Sequence, residues 1–295
     1  MARFTVIFNR KAGSAADETS RRTVEASLAR SALDARIVAV SGSEIEDAAE
    51  AAAAAGDALI AAGGDGTVST VAGVAVRAGA LFGVIPLGTL NHFAKDAGIP
   101  LDVDAAVDVL AAGRPVALDT ATVNARTFVN NASVGVYARL VRERQIEERH
   151  GRGKWTAFAI GLARAWRTDP QITVRLIVDG TPLVRRTPFV LVGNGDYQEA
   201  GPGLGRRTSL TAGHLSIYLA PECGRFEMLR LGLRALAGRL RPDEVTLEEF
   251  RACEVTIETR ARNAGVATDG ELAPIDPPFT CWIRRGTLRT LLPLT

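Results

Sequence analysis

Over its first 118 residues the chain alternates short apolar runs with stretches of helical period. Residues 3–8, 35–40, 58–62 and 81–85 read as strands, and residues 15–31, 43–55 and 68–78 read as helices. Such alternation predicts an α/β unit with a parallel sheet and helices on both faces. Beyond residue 118 the texture changes. Runs at 120–123, 127–131, 172–178, 189–192, 215–218, 254–258 and 281–284 are rich in β-branched residues and are punctuated by Gly, Pro, Asn and Asp. They predict an antiparallel β domain. Two helical stretches interrupt it, at 140–166 and 225–240. The second puts Phe226, Leu229, Leu233, Leu236 and Leu240 on one face, with Arg230, Arg234 and Arg241 together on another. A basic amphipathic helix can lie on a membrane surface, or it can pack on its own domain.

Composition narrows the class. The 295 residues suffice for two ordinary domains, and 47% apolar with 23% charged residues is a globular balance. The chain has no run of about 18 apolar residues, so no membrane-spanning helix is expected. It enters a strand at once, so no signal peptide is expected. Cys223, Cys253 and Cys281 are too scattered for a disulfide framework or a zinc site, and they read as reduced thiols in a cytoplasmic protein. The net charge of +2 is unevenly spread: residues 1–118 carry 10 Lys/Arg against 14 Asp/Glu, and residues 119–295 carry 25 against 19. The basic part could face anionic headgroups, or it could be an arginine-rich solvated surface.

The candidate chemistry begins at Gly63-Gly64-Asp65-Gly66-Thr67, where a strand runs into glycines and then a helix. Glycines let backbone N–H groups approach phosphate oxygens. Thr67 is expected to cap the helix, whose N-terminus favours an anion. Asp65 would suit that place if it addressed a Mg²⁺ ion or its waters. The bland alternative is a tight strand-to-helix turn. A second loop after the next strand, Pro86-Leu87-Gly88-Thr89-Leu90-Asn91-His92-Phe93-Ala94, should lie beside the first and offer Thr89 and Asn91 to a nucleotide. A third loop, Asn9-Arg10-Lys11-Ala12-Gly13-Ser14, closes the first strand. Near the C-terminus, Asp269-Gly270-Glu271 puts two carboxylates around a glycine. The pair could supply a general base for a hydroxyl and help hold a metal. It could also be an ordinary hairpin turn.

Together these motifs resemble the diacylglycerol kinase catalytic family, with its soluble bacterial lipid kinases and sphingosine kinases, over nearly the whole chain. The family's nucleotide loop is similar to Gly63-Gly64-Asp65-Gly66-Thr67. Its Pro-x-Gly-Thr-x-Asn-x-Phe-Ala loop is met by Pro86, Gly88, Thr89, Asn91, Phe93 and Ala94, and its first loop at Asn9 and Gly13. Ser41 falls where members place a Thr or Ser near the nucleotide. Asn130-Asn131-Ala132-Ser133-Val134-Gly135 and Val192-Gly193-Asn194-Gly195 also resemble family segments.

The resemblance implies an N-terminal nucleotide domain like that of NAD kinases and phosphofructokinases, over residues 1–118, to which residues 287–295 return. It implies a C-terminal β-sandwich that helps form the lipid site over residues 119–286. It further implies ATP with Mg²⁺, a lipid substrate such as diacylglycerol or a sphingoid, no nucleic acid, peripheral membrane contact from the cytoplasm, and a homodimer by analogy. ATP is expected at Asn9, Gly13, Ser41, Gly63, Gly64, Asp65, Gly66, Thr67, Gly88, Thr89 and Asn91, with the metal at Asp65. Catalysis falls to Asp65, Asp269 and Glu271, with Glu271 preferred as base and Asp269 nearer metal or phosphates.

Three departures stand out. Arg10 replaces a proline, His92 replaces an aspartate, and Ala212 stands where many bacterial members carry the aspartate of a structural magnesium site. They leave room for a nucleotide-binding protein without turnover. NAD kinase shares the Gly-Gly-Asp-Gly-Thr loop and is the enzyme rival, but its later loops differ from residues 86–94.

Overall fold

A computed structural model describes residues 3–10, 15–31, 33–136, 138, 171–198, 206–222, 224, 247–260 and 265–294. The helical stretches expected at 140–166 and 225–240 lie outside the described residues, as do Gly13 and Cys223. Strands β1 (Phe4–Asn9), β2 (Ala35–Val40), β3 (Ala58–Gly63) and β4 (Phe82–Pro86) run parallel in the order β2-β1-β3-β4. Helices α1 (Ala15–Arg30), α2 (Ile45–Ala54), α3 (Asp65–Ala78), α4 (His92–Asp96) and α5 (Val103–Ala112) follow in chain order.

Strand β3 shows why its run is wholly apolar. Leu59 and Ala61 pack with Ile45 and Ala49 of α2 and with Val68 and Val71 of α3. Ile60 and Ala62 face the other way, into a cluster with Val24 and Leu28 of α1 and Val107 and Leu110 of α5. A strand covered on both faces has no polar side, so alternation disappears. Local signals set the helix ends: the Asp102 carboxylate caps α5 by accepting from the Ala105 N–H, and Gly79 at φ 63° closes α3. Residues 43–55, expected as one helix, divide into a 3-10 turn at Gly42–Glu44 and α2.

The remaining strands are β5 (Arg114–Val123), β6 (Arg126–Phe128), β7 (Asn131–Gly135), β8 (Ile172–Val178), β9 (Thr181–Thr187), β10 (Phe189–Asn194), β11 (Leu215–Leu219), β12 (Glu248–Ala252), β13 (Glu254–Thr259), β14 (Val266–Thr268), β15 (Glu271–Ala273) and β16 (Phe279–Leu292). One sheet has the order β12-β11-β10-β7-β14-β15, and it faces β16, β13, β8 and β9 of the other. Val134, Val192 and Ile217 from the first sheet share a core with Leu176, Val255 and Phe279 from the second. The fold is thus α/β with an N-terminal parallel sheet and a C-terminal antiparallel β-sandwich.

Two expectations about strands change. The run 127–131 breaks between Phe128 and Asn131, because the N–H groups of Val129, Asn130 and Asn131 turn to the Asp269 carboxylate. The run 281–284 lies in the first half of a fourteen-residue strand. Strand β16 pairs with β5 from Cys281 to Leu292, with an irregularity between Arg284 and Leu288, and it meets β4 where Thr290 aligns with Phe82. The parallel sheet and one sandwich sheet therefore form a single ten-stranded sheet. At the irregularity Gly286 takes φ 61° and donates its N–H to Asp119, which satisfies the unpaired backbone group.

Candidate active site

The site grows from the carboxyl ends of β1, β3 and β4. Helix α3 starts at Asp65 with Gly64 as its N-cap residue, so Thr67 lies inside the first turn and is not the cap expected from sequence. The three residues before Val68 continue the helix because Asp65 in its first turn complements the helix dipole. Thr67 is buried, and its hydroxyl accepts from Asn9 Nδ2 at 2.9 Å, which ties the first loop to the second.

The two glycine loops touch backbone to backbone. A Cβ on Gly88 would stand 2.5 Å from Gly64 Cα, closer than side chains tolerate, so this contact requires glycine. Asn91, in the left-handed region at φ 51°, accepts from the Gly88 N–H at 2.9 Å and donates to the Gly88 carbonyl at 2.8 Å. Its amide therefore shapes the loop, while Thr89 is exposed. Asp65 Oδ1 accepts the His92 N–H at 2.7 Å. That bond uses the backbone of residue 92, so it does not depend on which side chain stands there. Ser41, half-buried after β2, gives its N–H and its hydroxyl to Glu44.

A cavity of about 300 Å³ opens beside these loops. Asp65, Gly66, Leu90, His92 and Asp96 line one wall. Asn130, Asn131, Tyr197, Asp269, Gly270 and Glu271 line the other. Of the catalytic and nucleotide-site residues expected from sequence, Asp65, Gly66, Asp269 and Glu271 line this cavity. Asn9, Gly63, Gly64, Thr67, Gly88 and Asn91 are not in its lining; they belong to the neighbouring loops and the start of α3.

Asp269 and Gly270 form the turn between β14 and β15, both with positive φ, at 50° and 81°. Such a two-residue hairpin turn favours Asp-Gly. The turn also does structural work at the site. Asp269 is buried and accepts four hydrogen bonds: from Ser69 Oγ at 2.5 Å and from the N–H groups of Val129, Asn130 and Asn131 at 2.9, 2.7 and 3.1 Å. Burial raises its pKa above the ordinary value, opposed by the Ser69 hydroxyl and the three N–H groups. Glu271, by contrast, is half-exposed and faces the nucleotide loops. A Cβ on Gly66 would lie 2.0 Å from Glu271 Oε1, so the carboxylate fills the space that glycine leaves at the start of α3.

Two contributors, Tyr197 and Arg207, carry no sequence motif. Tyr197 donates its hydroxyl to the Asn130 carbonyl at 2.8 Å, and burial pushes its pKa upward. Arg207 bonds Asp96 Oδ2 at 2.9 Å and stands over the Phe93 ring, which joins the sandwich to α4. Asn194, within a segment noted in the sequence, donates to the carbonyls of Asp119 and Val129, both at 2.9 Å.

The glycine loops suit a polyphosphate: Gly64 and Gly88 pack backbone to backbone at the N-terminus of α3, an end that favours an anion. Magnesium is commonly held by one or two carboxylates together with substrate phosphates. Asp65 lines the cavity and meets that requirement. The segment around Ala212 does not fit a second magnesium. Ala212 offers a methyl, the Gly213 N–H bonds Asp119, and His214 bonds the Ala212 carbonyl and Asp196. These contacts hold the loop by side chains.

The "Diacylglycerol kinase catalytic domain" family matches residues 3–123, and the "YegS C-terminal NAD kinase beta sandwich-like domain" family matches residues 130–291. A Klebsiella pneumoniae protein described as "Probable lipid kinase YegS-like" is 34% identical over 148 residues, 49% of each chain. The chain thus spans about half the length of the curated relatives it matches first. A solved diacylglycerol kinase structure from Bacillus anthracis aligns with TM-score 0.73 at 23% identity, covering 99% of this chain and 97% of that one. Yeast NADH kinase, solved with NADH, aligns with TM-score 0.51 at 12% identity, over 99% and 84% of the two chains, a likeness of fold. Two matched domains in tandem, with paired glycine loops and a carboxylate-bearing hairpin, make this chain a member of the diacylglycerol kinase–YegS family.

Proposed function

We propose that this chain transfers the γ-phosphoryl group of ATP to the hydroxyl of a lipid, with diacylglycerol as the first candidate. The supporting observation is the approach of Glu271 Oε1 to Gly66, which sets a carboxylate from the sandwich against the first turn of the glycine-loop helix. In this reading residues 1–118 and 287–295 bind ATP, and residues 119–286 bind the lipid. The lipid hydroxyl enters the cavity and gives its proton to Glu271 as its oxygen bonds to the γ-phosphorus. The bond from that phosphorus to the β–γ bridging oxygen breaks in line, and ADP leaves. Asp65 would hold Mg²⁺, whose charge would offset that of the phosphates. Asp269, with four donors on its carboxylate, fixes the hairpin that carries Glu271. The enzyme would work from the cytoplasm at the membrane surface, its basic second half toward anionic lipid.

The test is label transfer from γ-labelled ATP with Mg²⁺ to a lipid panel in mixed micelles, with NAD as a separate acceptor. Label in one lipid, lowered about 100-fold or more in Glu271→Gln and in Asp65→Asn, supports the reading. Asp65→Asn keeps an acceptor for the His92 N–H, so its loss of activity reports on charge. Label in NAD alone would replace this reading with that of a nicotinamide-nucleotide kinase.

A further inference from the structure

Arg126 stands beside the hairpin of Glu271 and belongs to none of the loop motifs. It opens β6, after a turn in which Asn124 takes φ 49°. Its Nε donates to Thr268 Oγ1 at 2.9 Å, and its Nη2 lies 3.6 Å from Glu271 Oε2. Thr268 is almost fully buried in β14 and pairs directly with Glu271 across the Asp269-Gly270 turn. The anchor of the guanidinium and the carboxylate it faces are therefore neighbours on one rigid hairpin.

We propose that Arg126 is a positioning residue for the reaction: held by Thr268, its guanidinium keeps the Glu271 carboxylate turned toward the first turn of α3. The inference rests on the reading of Glu271 as base. The carboxylate is bracketed, with Oε2 on the Arg126 side and Oε1 on the Gly66 side. Glutamate has three rotatable bonds, and this one is half-exposed, so without a partner it would spread over several rotamers. An exposed ion pair adds little stability. What it adds here is orientation: the planar guanidinium, fixed at Nε, leaves one edge for Glu271. A base must sit within hydrogen-bond reach of the proton it takes, and small misplacements cost rate.

A double-mutant cycle tests this, with kcat, KM for ATP and thermal melting measured for the wild type, Arg126→Gln, Glu271→Gln and the double variant, on the lipid labelled by the wild type. Arg126→Gln should lower kcat about 10- to 100-fold and leave KM for ATP within about 2-fold. On the residual turnover that Glu271→Gln retains, the same change should cost less than about 2-fold, because Arg126 acts through Glu271. Thr268→Val keeps the charge, removes the anchor, and should reproduce part of the loss; it serves if Arg126→Gln melts early. Full losses in both backgrounds, or a raised KM for ATP with unchanged kcat, would overturn the proposal and leave the kinase reading standing. A Glu271→Gln variant as active as the wild type, or a wild type that labels no lipid, would remove the base reading and this inference with it.

Discussion

Ser69 and Asp269, 200 residues apart in the chain, meet at 2.5 Å, hydroxyl to carboxylate, at the junction of α3 with the β14–β15 hairpin. The same carboxylate gathers the N–H groups of Val129, Asn130 and Asn131. One buried side chain thus fixes the distance between the glycine-loop helix and the hairpin that carries Glu271.

Replacing Asp269 with Asn puts an amide where four donors converge. The expected cost is about 3 kcal/mol or more, since buried N–H groups lose their acceptor. Ser69→Ala removes one donor and should cost about 1 kcal/mol. Chemical denaturation measures both; an Asp269→Asn variant as stable as the wild type would contradict this account.

Gly66→Ala separates site from fold. The added methyl would stand 2.0 Å from Glu271 Oε1, and a half-exposed carboxylate can swing away. Alanine favours the helix by about 1 kcal/mol over glycine. The melting temperature should therefore hold or rise while phosphoryl transfer falls at least about 100-fold. An active, well-folded Gly66→Ala would show that Glu271 does not need this position.

At the opposite end of the sheet, Asp57 is held by Arg3 at 2.9 Å, by Thr5 at 2.6 Å and by Arg36 at 3.2 Å. The Arg3 guanidinium, then the Thr5 hydroxyl, hold its carboxyl down at about 2. An unfolded Asp titrates near about 3.9. The folded value is depressed, so the stabilisation is fully present above the unfolded value and is lost as pH falls toward the folded one. Asp57→Asn should lower the melting temperature at pH 6, and the gap from the wild type should close between about pH 4 and pH 2. A gap that stays constant across that window would refute the assignment.

Arg207 is the buried latch between the sandwich and α4, its side chain 1% exposed against an Asp96 side chain at 5%. Arg207→Met would leave the Asp96 charge with fewer partners and should cost about 3 kcal/mol. Because Asp96 lines the cavity, the KM for lipid should rise as well. Unchanged melting would mean that the pair contributes nothing net.

The parallel sheet, both glycine loops and the Asp-Gly-Glu turn were legible in residue order because their causes are local. A strand covered on both faces must be apolar throughout, and a loop that lets backbones approach to the Gly64–Gly88 contact must be glycine. Strand β9 was not legible. Its run Thr181–Thr187 is mostly exposed and carries Arg185 and Arg186, so no apolar stripe marks it. The length of β16 escaped for a different reason: whether a strand continues depends on which partner it finds beyond Arg284, and that partner is β5.

At the site, the sequence nominated Asp65, Asp269 and Glu271 and preferred Glu271 as base, with no residue pattern to separate it from Asp269. Their environments separate them. Asp269 is enclosed and takes four donors, while Glu271 projects toward α3 with Arg126 beside it. Hydrogen-bond saturation, burial and the pairing of Ser69, Arg126 and Arg207 with distant partners are properties of contacts between segments. No local pattern encodes them, because each arises only when the sandwich closes over the nucleotide-type loops.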